Sequence, residues 1–271
     1  MSGLSREGIE GLRNPLARVV EVHGALTSTQ ERARELARSG TPHGSLVIAG
    51  VQTGGRGRLG RHWGSPAGGL WMSLVLRPEF EAGFAARITQ TAAVGVARAL
   101  GEVGVEVRIK WPNDLLAGGK KICGILAESM VRNATGPAKV PRLEYVVLGV
   151  GMNANLDPED LRVRDREVTT IRSEVGHDVD LLSLLRALLS NIDDELGRIE
   201  DFEAVLEEWR NLNCTLGEEV RVRRFGETVE GRAVDLTPEG ALLLATPGGA
   251  VELFEGEIEQ MVREPRLESG D

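Results

Sequence analysis

The feature that most constrains this fold is an apolar run, Ser45–Val51, that passes straight into Gln52-Thr53-Gly54-Gly55-Arg56-Gly57-Arg58-Leu59-Gly60-Arg61-His62-Trp63. A short apolar run of this kind, bounded by glycines, reads as a buried strand, and the segment after it holds too many glycines for helix or strand. A buried strand needs a sheet around it. The loop at its end sets arginines beside backbone N–H groups that glycine leaves approachable, an arrangement suited to clamping phosphate or carboxylate. It is not a Walker A loop, since G-x-x-x-x-G-K-[ST] is nowhere satisfied, and no helix comes next as a dinucleotide fingerprint requires. The competing reading is a solvated surface loop of arginine and glycine.

The flanking segments supply the sheet and its cover. Val19–His23 reads as a strand, and Ser28 or Thr29 caps a helix running to about Arg38 with Ala33 and Leu36 inward and Gly40 at its end. Leu70–Leu76 reads as a strand, and Gly83–Glu102 has helical periodicity. Val105–Lys110 is a strand that Pro112 terminates, and Lys121–Ser129 resumes after Gly118-Gly119, so the pair suggests a hairpin with chemistry at its mouth. Arg132–Arg142, with Gly136, Pro137 and Pro141, reads as a mobile loop before a strand at Leu143–Val150, and Asp180–Arg198 and Asp201–Leu212 read as amphipathic helices. Beyond Cys214 the texture changes to short strands at Glu219–Arg224, Thr228–Leu236, Ala241–Thr246 and Ala250–Phe254, the mark of a small β-barrel-like domain. The expectation is an α/β chain, an α+β mixed sheet with flanking helices, divided as 1–18 extension, 19–213 main domain, 214–265 small domain and 266–271 tail.

Charge and cysteine usage exclude several classes. A formal net charge of −9 over 271 residues argues against a general nucleic-acid binder, which needs a basic face. No long apolar run and a polar Met1–Arg18 argue against a membrane span or an export signal, so a cytoplasmic protein is expected. Cys123 and Cys214 are far apart and form no C-x-x-C pair, which argues against a thiolate zinc site. Of 32 basic residues only four are lysine, and Lys110, Lys120 and Lys121 fall in one short segment. Lysines gathered this way point to a site that uses a compact charge on a flexible stem rather than a planar fork.

That segment is Lys110-Trp111-Pro112-Asn113-Asp114-Leu115-Leu116, then Lys120-Lys121-Ile122-Cys123-Gly124-Ile125. It can set a cation beside a transferring phosphoryl group and a carboxylate beside an incoming amine. A third element, Gly149-x-Gly151-x-Asn153-x-Asn155, ends a buried strand with small residues and amides. Together with the arginine loop these groups suit the joining of two anions.

In the order Ser28-Thr29-Gln30, Gln52…Gly55-Arg56-Gly57-Arg58-x-Gly60-Arg61-x-Trp63, Lys110-Trp111-Pro112-Asn113-Asp114, Lys121-x-x-Gly124-Ile125 and Gly149-x-Gly151-x-Asn153, the chain resembles biotin protein ligases from about Val19 to Met261. The resemblance implies a class II synthetase-like catalytic domain with a C-terminal SH3-like β-barrel. It also implies ATP as co-substrate, Mg²⁺, biotin as substrate, and a biotin carboxyl carrier protein domain as partner. It leaves a homodimer open and makes Lys121, Asp114 and Arg58 the catalytic candidates. Ser28, Thr29, Gln30, Gln52, Gly55, Arg56, Gly57, Arg58, Lys121 and Gly124 are implied around biotin, with Trp71 as a pocket wall or else core. Arg56, Arg58, Arg61, Trp63, Lys110, Asn113, Lys121 and Asn153 are implied around the adenylate, Trp63 as the face for adenine and Asn153 on ribose, phosphate or metal. The metal ligands stay unassigned. The chain departs from the family at Thr27 and Gln30, where Asp and Asn are common, and at Met261, where some members carry arginine.

Too little chain precedes Val19 for a helix-turn-helix domain, so no operator binding is expected. Lipoate-protein ligase is the sister reading; the Gly-Arg-Gly-Arg loop and the Lys-Trp-Pro-Asn-Asp hairpin favour biotin. A biotin carrier would need an exposed lysine between methionines in a tight hairpin, and no lysine has that setting. A nucleic-acid module built on the arginine loop would bind with steep salt dependence and without biotin or ATP.

Overall fold

The computed structural model describes Leu4 and residues 6–132, 140–161 and 167–262, with backbone only for 260–262. After a short helix α1 (Arg6–Glu10), strand β1 (Val19–Leu26) crosses through α2 (Thr29–Arg38) to pair in parallel with β2 (Ser45–Gln52). The remaining strands of this sheet are β3 (Leu70–Leu76), β4 (Arg108–Lys110), β5 (Asp114–Ala117), β6 (Lys120–Arg132) and β7 (Arg142–Met152), and the order across it is β1-β2-β3-β7-β6-β5-β4. Of the neighbouring strands in this sheet only β1 and β2 run parallel, because they alone are joined through a helical crossover. Mixed sheet and flanking helices are thus as the sequence leads one to expect.

Strand alternation divides the sheet into two faces. On one, Leu70, Met72, Leu74 and Leu76 join the main core, covered by α3 (Ala85–Glu102), α5 (Leu181–Gly197) and α6 (Phe202–Leu212). A short helix, α4 (Ile171–Val175), precedes α5. On the other face Val47, Val75, Tyr145 and Val147 meet Ala33 and Ala37 of α2. Ser28 is the N-cap of α2, accepting from the Glu31 N–H at 3.4 Å, and Thr29 opens the helix.

A second, antiparallel sheet lies beyond Cys214: β8 (Glu219–Arg224), β9 (Glu227–Leu236), β10 (Leu242–Thr246), β11 (Gly249–Leu253) and β12 (Glu257–Val262), in the order β11-β10-β9-β8-β12. It is fixed to the first sheet at its β4 edge. Cys214 N donates to Ile109 O at 3.0 Å and Trp111 N to Thr215 Oγ1 at 3.0 Å, while Gln90 Nε2 reaches Gly240 O at 3.2 Å. Arg210 adds Nε to Asp235 Oδ1 at 2.8 Å.

Several elements differ from the sequence expectation. The strand expected over Val105–Lys110 is only Arg108–Lys110; Gly118-Gly119 joins β5 to β6, with β5 a strand the sequence reading misses. That strand is four residues long and sits between a proline turn and a glycine turn, too short for a period to show. β12 is also missed, because its pairing with β8 is set from over thirty residues away. Most of the loop expected at Arg132–Arg142 lies outside the described residues, as does the 266–271 tail. Among the described residues no helix is long and apolar enough to cross a membrane.

Candidate active site

On the α2 face a cavity of about 820 Å³ runs from the N-terminus of α2, across β3, β7 and β6, to the second sheet. Ser28, Thr29, Gln30 and Gln52 line one end, Lys121, Asp114 and Gly124 the middle, and Lys110, Asn113 and residues 256–259 the other end.

The α2 end is a continuous chain of hydrogen bonds. Gln52 Oε1 accepts from Thr29 N at 2.8 Å and from Thr29 Oγ1 at 3.1 Å, and Gln52 Nε2 donates to Ser65 Oγ at 2.8 Å. Thr29 Oγ1 lies 3.0 Å from Ser73 Oγ, which donates to Gln30 Oε1 at 3.0 Å. Gln30 Nε2 is spent on Val147 O at 3.0 Å and Glu128 Oε2 at 2.9 Å. Gln30 therefore orients Ser73 and ties α2 to the sheet, with its amide hydrogens already committed. Ser65 and Ser73 are missed by the sequence reading. The signal for Ser73 is there: a lone hydroxyl in Leu-Trp-Met-Ser-Leu-Val-Leu, a strand otherwise apolar.

Trp63 fills the middle of the cavity wall. Its ring lies against Gly124 and Gly151, and Lys121 Nζ stands 4.9 Å from the ring centroid, within cation–π range. A Cβ on Gly151 would fall 2.5 Å from Trp63 Nε1, and one on Gly149 2.5 Å from Gln30 Oε1, which is why this strand end carries glycine at alternate positions. Gly151→Ala is accordingly expected to displace the indole. A shift in tryptophan emission with far-ultraviolet circular dichroism unchanged would record it, and an unaltered spectrum would count against this packing. Among the described residues four buried polar atoms on cavity-lining residues have no hydrogen-bond partner: the donors Trp63 Nε1 and Trp111 Nε1 and the acceptors Asn153 Oδ1 and Glu257 Oε2. The Asn153 amide nitrogen is held by Thr169 O at 3.0 Å, which fixes which atom faces inward.

Trp71, expected as a pocket wall or as core, is core. It is 1% exposed, packs with Leu156 and Leu161, donates Nε1 to Pro66 O at 2.8 Å, and does not line the cavity. The reason is layering: Trp63 packs onto that same cluster and stands between it and the open space. Gly55 also falls outside the cavity lining. It is buried, and a Cβ there would run into the Trp63 carbonyl and Ser65 Oγ, so it lets the loop fold back on itself.

Lys121 and Asp114 form the central ion pair, Nζ to Oδ1, on neighbouring strands of the β5–β6 hairpin. The lysine side chain is 8% exposed and the aspartate 20%. Trp111-Pro112 is a cis peptide at the turn into β5, and Asn113 Nδ2 donates to Ile125 O at 2.5 Å, which joins this turn to β6.

Three cations lean on Gly256, Glu257 and Ile258, where the chain enters β12. Arg58 Nη1 donates to Gly256 O at 3.0 Å and lies 3.5 Å from Asn113 Oδ1, Arg61 pairs with Glu257, and Lys110 Nζ lies 3.4 Å from Ile258 O. Burial pulls the Arg58 guanidinium below its ordinary pKa, opposed by Asp114, Glu255 and Glu257. Arg56 turns outward to Glu31 of α2, while Gly57 N closes the loop by donating to Arg61 O at 2.8 Å. The segment reaching back from the small domain is thus in contact with the loop, through main-chain carbonyls and Glu257. The Met261 side chain lies outside the described residues.

Among the described residues no three His, Cys, Asp or Glu side chains converge as a metal cage. Mg²⁺ keeps waters and phosphate oxygens and takes one or two protein oxygens. The unpartnered Asn153 Oδ1 is an oxygen of that kind. Cys123 and Cys214 are both free, and burial pushes both thiols up.

The Biotin/lipoate A/B protein ligase family matches residues 23–153, and the Biotin protein ligase C terminal domain matches residues 215–261. The bifunctional ligase/repressor BirA of Bacillus subtilis (strain 168) is 35% identical over 216 residues, 78% of this chain and 64% of the relative. This chain therefore spans a little under two thirds of that protein's length. The biotin acetyl-CoA-carboxylase ligase of Paracoccus denitrificans is 34% identical over 204 residues, 72% of this chain and 81% of the relative. The biotin protein ligase from Aquifex aeolicus, solved in complex with biotin and ATP, superposes with a TM-score of 0.74 at 29% identity, covering 90% of this chain and all of that one. Matched in its mixed sheet and in its small antiparallel sheet alike, the chain belongs to the biotin protein ligases of the biotin/lipoate A/B protein ligase family.

Proposed function

We propose that this protein joins biotin to ATP, giving biotinyl-5′-AMP and pyrophosphate, and then transfers the biotinyl group to a lysine of a biotin carboxyl carrier protein domain. The observation that carries the reading is the Lys121–Asp114 pair, held in mid-cavity with a neutral hydrogen-bonding chain on one side and a cluster of cations on the other. A neutral bicyclic urea suits the first side, where Ser28, Thr29, Gln52 and Ser73 offer hydroxyls and an amide. A triphosphate suits the second, where Arg58, Arg61 and Lys110 converge.

In the first step a biotin carboxylate oxygen attacks the α-phosphorus, and the bond to the β-phosphate oxygen breaks. Both reactants are anions. Lys121, buried and close to where they meet, lowers their repulsion and the charge that develops in the transition state. Mg²⁺, when bound to the triphosphate, neutralises part of that charge, and Asn153 Oδ1 is the residue we assign to the metal or the ribose. Trp63 presents its face to the adenylate and, with Arg56, Gly57 and Arg58 of the loop, limits the entry of water. In the second step the carrier amine attacks the acyl carbon and AMP leaves; Asp114 orients the amine and takes its proton.

We assign this chemistry to the domain at 19–213, with the small domain at 214–265 contributing Arg223 and residues 256–259 to one end of the cavity. We place the reaction in the cytoplasm, supported by its use of ATP and by two free cysteines. No nucleic-acid partner is proposed. The test is biotin-dependent exchange of labelled pyrophosphate into ATP, run beside an identical lipoate reaction. Exchange with biotin alone is the expected outcome. Exchange with lipoate alone moves the chain to the sister chemistry, and none with either in folded protein refutes adenylation.

A further inference from the structure

The second sheet places one more cation in the cavity wall. Arg223 of β8 stands opposite Glu257 of β12 in the antiparallel ladder and lines the cavity. Its Nε is 2.8 Å from Glu259 Oε1, which fixes the direction of the side chain. Its Nη2 is 3.7 Å from Glu257 Oε2, an ion pair too long to be a hydrogen bond, so the terminal nitrogens keep donors for a ligand. The side chain is 48% exposed, at the open mouth rather than in the buried middle.

Strand order says what Arg223 meets. The polar chain lies over β2 and β3, Lys121 stands on β6, Lys110 on β4, and the second sheet comes next beyond β4. Neighbouring strands are about 4.8 Å apart, so the path from β3 to β4 is roughly 19 Å. In-line displacement puts the entering and leaving oxygens on opposite sides of phosphorus. With biotin entering from the β3 side, the leaving group points toward β4 and the second sheet.

We propose that Arg223 binds the pyrophosphate end of ATP, as a ligand contact supplied by the small domain; this rests on the adenylation reading above. The carboxylate oxygen to α-phosphorus bond forms, the α-phosphorus to bridging oxygen bond breaks, and the electron pair stays on pyrophosphate, whose oxygens meet the guanidinium fork. A planar fork pairs with two phosphate oxygens at once, which a lysine cannot do.

The test compares wild type, Arg223→Ala and Arg223→Lys in biotin-dependent pyrophosphate exchange, and separately in transfer from preformed biotinyl-5′-AMP to a carrier domain. Arg221→Ala is the control for charge, since Arg221 on the same strand pairs with Glu230 and does not line the cavity. Arg223→Ala is expected to raise KM for both ATP and pyrophosphate roughly tenfold, the size of one charged hydrogen bond. KM for biotin and the transfer rate should hold, and Arg223→Lys should recover part of the loss. Unchanged ATP and pyrophosphate constants would overturn the proposal, as would an equal loss in the transfer step, which marks a structural role. Failure of wild type to exchange with biotin would instead remove the adenylation reading, and the proposal with it.

Discussion

Replacing Lys121 by alanine is expected to slow formation of biotinyl-5′-AMP by about 10²–10³-fold, the cost of removing one preorganised donor from the charge that develops in a transition state. The size comes from burial: at 8% side-chain exposure the ammonium acts through little water, and its attraction for two converging anions is correspondingly strong. Lys121→Arg is not expected to restore the rate, because a planar guanidinium fork does not reproduce the compact ammonium held against Asp114 and the Trp63 ring. Removal of the lysine also leaves Asp114 short of its central partner. Since that carboxylate is one-fifth exposed, the loss of stability should stay below the roughly 3 kcal/mol that opens the range for fully buried pairs. Single-turnover formation of labelled adenylate measures the first effect and thermal unfolding the second. Near-normal adenylate formation in folded Lys121→Ala protein would take the lysine out of the chemistry.

The second large effect is expected at Asp114. Asp114→Asn keeps the size of the side chain but removes its charge, and should slow transfer to the carrier lysine by about 10²–10⁴-fold, the usual contribution of a general base. Adenylate formation should suffer much less, because Lys121 keeps its charge and its position on β6. The split between half-reactions is the informative quantity. Supplying preformed adenylate to the variant isolates transfer, and pyrophosphate exchange isolates activation. If exchange falls and transfer holds, the aspartate serves Lys121 rather than the amine.

How much of this site is legible in the sequence depends on how local each feature is. The cap at Ser28, the strand running into the arginine loop and the proline turn before Asp114 are set by neighbours within a few residues, through capping, periodicity and ring geometry. Gln30 and Trp71 show the opposite case. Gln30 is expected near biotin and lines the cavity, but its amide hydrogens go to Glu128 and Val147, and Trp71, expected as pocket wall or as core, lies behind Trp63. Both outcomes depend on how whole elements pack rather than on adjacent residues.

The sequence by itself determined the α/β class, the change of texture after Cys214 and the kinds of group gathered for the chemistry, because composition and period are carried by every stretch of chain. Tertiary structure alone decided which of those groups face one cavity. Arg58 reaches Gly256, and Arg223 faces the same space as Lys121, only because the second sheet is hydrogen-bonded to the β4 edge. Such contacts between distant residues are settled by where whole elements pack, and no local pattern records them.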